Sequence, residues 1–167
     1  MKTFYKKISL ASMLALVFFA GSSFAQLSGS YTIDGSAAAS TTNFTSLKNA
    51  ITALRTNGVS GPVTFDVKSG QTFTGQHTIQ AIAGASATNR ITFNGNGSTI
   101  THTGGFSTGG VTVYMDGCDY ITIDNFKVVN TSSSYGRCFH LRNGADRNVI
   151  SNNEMNMPNM TSTSNYN

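Results

Sequence analysis

"GCDYITIDNFKV" (residues 117–128) lies over "GADRNVISNNEM" (residues 144–155) without a gap, at an offset of 27. Gly117 falls on Gly144, Asp119 on Asp146, Ile123 on Ile150, Asn125 on Asn152 and Val128 on Met155. Upstream, "VYMDG" at 113–117 matches "FHLRNG" at 139–144 with one inserted residue, and "RITFNG" at 90–95 resembles "YITIDN" at an offset of 30. A repeat of that length built only from short strands and turns suits one coil of a parallel β-solenoid. Stacked coils pair every strand with the strand above and below, roughly 4.8 Å apart. A β-sandwich has no reason to repeat at a fixed period.

The rest of the chain agrees. "VTFDV" (63–67), "HTIQAI" (77–82), "RITFNG" (90–95), "STITH" (98–102), "VTVYM" (111–115) and "YITID" (120–124) alternate apolar and polar residues, each bounded by Gly, Asn, Asp or Ser. Ahead of them, residues 31–33 suit a short strand. "TNFTSLKNAITALRTNG" then predicts an amphipathic helix over 43–57. Thr42 or Asn43 is its expected cap, Phe44, Leu47, Ile51 and Leu54 form its apolar stripe, and Gly58 stops it. The expected fold is all-β, a right-handed parallel β-helix with an N-terminal capping α-helix over edges that would otherwise aggregate. In that frame Ile121, Ile123, Phe126 and Val128 point inward, and Asn153 replaces Phe126 as a ladder asparagine.

Residues 1–25 read as a secretory signal peptide. Lys2, Lys6 and Lys7 precede an apolar run at 10–20, and Ser23-Phe24-Ala25 offers a cleavage site. Residues 26–59 are then the cap, and 60–167 the coils, which run out without a lower cap. Of 11 Lys and Arg, three lie in the signal, leaving 8 against 7 Asp and Glu. Such a balance gives no support to a nucleic-acid partner, and no membrane span is expected after signal removal. Secretion to the extracellular space or cell surface is the expected location.

"YTIDGSAAASTTNFTSLKNAITALRTNGVSGPVTFDV" followed by "TIQAIAGASATNRITFNG" resembles the opening of a family of secreted Bacteroidetes proteins. "NGVSGPVTF" and "GASATNRITF" carry the likeness most clearly, which spans roughly residues 28–155. The resemblance implies export and a pectin-lyase-like β-helix, often followed by a C-terminal sorting domain. Because this chain ends at "SNYN", a fragment or truncated product is expected, with missing coils or a missing sorting domain.

Candidate chemistry is sparse. A lyase would need carboxylates for Ca²⁺ and a base, for which Asp116, Asp119, Asp124 and Asp146 with Arg137, Arg142 and Arg147 are available. Most of those acids sit at Gly-containing turns, where Asp serves local backbone bonding. Arg142 aligns beneath Asp116, which points to a cross-coil ion pair. His77, His102 and His140 lie in strand patterns without catalytic company, and His140 is expected to face solvent. Cys118 and Cys138 fall on different parts of the coil, so free thiols are preferred to a disulfide, and two lone cysteines make no zinc site. No catalytic set, metal or cofactor is therefore expected. The candidate ligand-binding residues are Asp119 over Asp146, with Tyr114, Tyr120 and Tyr135 as outward rings. The preferred function is a non-catalytic module binding polysaccharide or another extended partner. The alternatives are the N-terminal fragment of a β-helical lyase or glycoside hydrolase, and a structural spacer in an adhesin.

Overall fold

The computed structural model describes residues 25–104 and 110–161, so the expected signal peptide lies outside the described residues apart from Ala25. Strand β1 (Leu27–Ile33) and the two-residue β2 (Asn43–Phe44) precede helix α1 (Leu47–Asn57). The first coil holds β3 (Val59–Val67), β4 (Thr72–Thr74) and β5 (His77–Gln80). The second holds β6 (Ile91–Asn94), β7 (Thr99–His102) and β8 (Val111–Asp116). The third holds β9 (Ile121–Asp124), β10 (Lys127–Asn130) and β11 (Arg137–Arg142), and β12 (Val149–Ser151) with β13 (Glu154–Asn156) begin a fourth.

Every pairing between these strands is parallel, and three sheets run along the axis in the orders β2-β1-β3-β6-β9-β12, β4-β7-β10-β13 and β5-β8-β11. This is a parallel β-solenoid of about four turns with a helix at its N-terminal end. Ile123 faces Ile150, Val128 faces Met155, and Ile91 faces Ile121, as the repeat requires. The step from His77 to Val113 is longer, because residues 103–110 lie between β7 and β8 in the sequence.

Alternation places one residue of each pair in a shared interior. Val63, Ile91 and Ile121 form one buried column, and Phe73, Ile100 and Val128 another. Phe65 and Phe93 stack at 4.9 Å between centroids and 14° between planes. Phe126 packs so closely on Gly95 that a Cβ there would lie 2.5 Å from its ring, so that corner accepts no side chain. The structure likewise buries Ile121, Ile123, Phe126 and Val128.

The helix prediction is corrected at its start. Ser46 is the N-cap, accepting the Asn49 N–H, and neither Thr42 nor Asn43 serves. Asn43 is instead buried in β2, where its amide donates to Asp34 O and Ala38 O and its backbone lies beside Thr32. Those long-range bonds outweigh local helix propensity. Leu47, Ala50 and Leu54 then cover the top of the interior, and Gly58 at φ 68° ends the helix.

Candidate functional site

The left-handed turns repeat with the coils. Gly117 and Gly144 have φ of 68° and 71°, Asn125 and Asn152 of 55° and 54°. These are residues that tolerate that region. Tyr120 and Arg147, also one coil apart, hold φ of 60° and 56° although neither residue type favours it. Their neighbours explain what the side chains do.

Arg90, Tyr120 and Arg147 form one column at the corner that leads into β6, β9 and β12. Arg90 comes from the coil above and stands 5.8 Å from the Tyr120 ring centre; Arg147 comes from the coil below and stands at 5.5 Å. Both distances suit a cation–π contact. Arg90 Nη1 also donates to Thr122 Oγ1 at 3.4 Å and to Arg147 O at 3.1 Å. Among the described residues neither Arg90 nor Arg147 is ion-paired with a carboxylate. Beside the column, Thr64, Thr92 and Thr122 line up on the outer face of β3, β6 and β9. Next to them run Asp66, Asn94, Asp124 and Ser151, bonded across coils.

Tyr114 belongs to a second cluster, on the outer face of β8 and β11. His140 lies beneath it with ring centres 5.3 Å apart, and the Arg142 guanidinium sits 4.8 Å from its ring. Arg142 Nε donates to Asp116 at 3.3 Å, so the expected cross-coil pair is present. The hydrogen bonds from Arg142 and Asn143 hold the Asp116 carboxyl below its ordinary pKa. His140 is partly exposed on this outer face.

The remaining candidates separate. Asp119 and Asp146 are one coil apart, but Asp119 Oδ1 accepts the Asp146 backbone N–H at 2.7 Å, which makes it turn structure. Tyr135, exposed and at φ 55°, lies in the loop between β10 and β11, at a different corner from Tyr120. Among the described residues no three His, Cys, Asp or Glu side chains are placed to hold a metal, and no helix is long and apolar enough to cross a membrane. Cys118 and Cys138 are buried free thiols, and burial pushes the Cys118 pKa up to about 11.

Sequence reasoning found Tyr120 and Arg147 separately and missed their pairing with Arg90. The signal was present, since Arg90 precedes "ITFN" as Tyr120 precedes "ITID". Comparison with known proteins finds no matching family model, no similar curated protein and no similar solved structure.

Proposed function

We propose that the chain is a secreted or cell-surface β-helix module that binds an extended acidic polysaccharide without cutting it. One observation carries this reading: Tyr120 and Arg147 occupy left-handed positions that Gly and Asn fill elsewhere in the same coils. Each non-glycine side chain there costs about 1 kcal/mol or more. Such a cost is tolerated where the side chains have work to do. Their gain is a tyrosine braced between two guanidiniums that have no carboxylate partner among the described residues.

Planar guanidiniums on an outer corner suit carboxylates repeated along a glycan, through paired N–H donors. Thr92 and Thr122 beside them offer hydroxyls to the sugar. The resemblance of roughly residues 28–155 to secreted Bacteroidetes pectin-lyase-like proteins supports export.

Affinity electrophoresis through polygalacturonate tests the reading. Retardation without shortening of the polymer is expected, together with indifference to a neutral galactan. Tyr120→Asn and Arg147→Asn keep left-handed backbone within reach of the new residue, and each should lose most of the retardation while folding normally. Shortening of the polymer would favour the enzyme alternative. Absence of any retardation would favour a spacer.

A further inference from the structure

We propose that the groove between helix α1 and the corner joining β4 to β5 is a second binding site, for a small hydroxylated carboxylate the size of one or two sugar-acid units. It lies at the capped end of the solenoid, and its walls come from elements that the Arg90–Tyr120–Arg147 column does not use.

The groove measures about 930 Å³, within the range of small-molecule sites. Lys48 and Arg55 flank it from α1, and no carboxylate lines it. Asp34, next in sequence to the lining residue Gly35, is engaged by Lys68 at 3.1 Å and by Ser36. Lys48 has no carboxylate partner among the described residues. Arg55 is steadied by Gln80 Oε1 at 3.2 Å, which uses one of its five donors. The facing wall offers Thr72, Thr74 and Thr78 hydroxyls and the Gln71 amide. The result is a concave surface with two cations and several hydroxyl-matching groups.

His77, which also lines the groove, is the independent sign of a ligand. It is 6% exposed, and its Nε2 is buried without a hydrogen-bond partner. Its column continues as Val113 in the second coil and Phe139 in the third. An apolar residue would therefore complete the interior at no polar cost, while an unmatched ring nitrogen costs stability. Histidine at this place has a reason if a ligand completes it. In this proposal the unmatched Nε2 is the group that a ligand hydroxyl completes. Burial, with minor help from His102 and Lys48, lowers the His77 pKa to about 4. The ring is thus neutral at pH 7, and Nε2 donates or accepts according to its tautomer.

The test is a titration of the chain with digalacturonate, followed by the ring resonances of His77 and by calorimetry. Digalactose and inorganic phosphate at equal concentration are the controls. Saturable movement of the His77 signals with digalacturonate alone is expected. Lys48→Gln and Arg55→Gln, both on the exposed side of α1, should each weaken binding about tenfold, the ordinary worth of one charged hydrogen bond. His77→Phe should weaken binding while the unfolding temperature holds or rises, a combination that a merely structural histidine would not show. Tyr120→Asn should leave the His77 response to digalacturonate intact, so this site and the outer column stand or fall separately. Unmoved His77 signals, equal response to phosphate, a His77 response unchanged in the Lys48→Gln, Arg55→Gln double variant, or loss of that response in Tyr120→Asn would each overturn the proposal.

Discussion

The third coil and the fourth follow the same register and nearly the same pattern of residues, yet their interiors differ. Val128 is 0% exposed and its partner Met155 60%; Met115 is 0% exposed and its partner Leu141 in the third coil 40%. Ile123 is buried and Ile150 half-buried. An inward-pointing side chain in a solenoid leaves water only when coils lie on both sides of it. At the upper end α1 supplies that cover through Leu47, Ala50 and Leu54. At the lower end the described residues use polar ties instead. Asn148 accepts from Ile121 N and donates to Cys118 O, and Asn153 accepts from Phe126 N and donates to Ile123 O. Each asparagine thus holds the backbone of the coil above. The central coils are held by packing, and the lowest by hydrogen bonds to its neighbour.

The sharpest break of that comparison is a pair of truncations. Phe93→Ala removes a ring stacked between coils and should cost about 3–5 kcal/mol in chemical denaturation. Met155→Ala, on the exposed lower end, should stay within about 0.5 kcal/mol. Equal losses would show that the central and lowest coils are equally packed.

Acid separates the ends next. The His77 pKa is lowered to about 4 from its ordinary 6.5. Its neutral form is therefore favoured by folding, with the full contribution present above pH 6.5 and lost as pH falls towards 4. The loss is on the order of 3 kcal/mol and should vanish in His77→Phe. Asp34 acts only lower, since its hydrogen bonds from Ser36 bring its pKa to about 2 and its contribution is lost between pH 3.8 and 2. Unfolding free energies measured at pH 7, 5 and 3 check both, and a flat profile between pH 7 and 4 would contradict the His77 account.

The coil architecture was legible in the sequence because a parallel register turns a linear offset into a contact. Gly117 over Gly144 and Ile123 over Ile150 were enough for that. The strand of three residues at Thr72–Thr74 is too short to show a period, and it exists because Thr99–Thr101 lies beside it. Asn43 looked like a cap because asparagine favours helix starts, yet its partners Asp34 and Ala38 lie nine and five residues away. Asn130, buried, joins Gly110, Thr112, Arg137 and Ser132 at one corner, a role no local pattern announces. For the site, alignment placed Tyr120 over Arg147, but the left-handed backbone beneath both is a property of the turn. The groove beside His77 depends on where α1 comes to rest.

Thiol chemistry is the smallest of the expected differences. Burial raises the pKa of both cysteines, so little thiolate forms at pH 8 and alkylation should be slow in the folded protein. Cys138, in the last strand of its sheet, should react before Cys118, which lies between coils. Mass analysis of iodoacetamide-treated protein over hours distinguishes them, and faster labelling of Cys118 would place the weaker end elsewhere.

Every column described above depends on the parallel register, and one cross-link tests it directly. Thr122 and Val149 are partners on adjacent strands. In a parallel stack their Cα atoms lie near 5 Å apart, within roughly the span a disulfide bridges. The pair Thr122→Cys with Val149→Cys should therefore oxidise to a disulfide found by peptide mapping. The shifted pair Thr122→Cys with Ser151→Cys should remain reduced. Cross-linking of the shifted pair, with the aligned pair left reduced, would contradict the solenoid register and the guanidinium–tyrosine column with it.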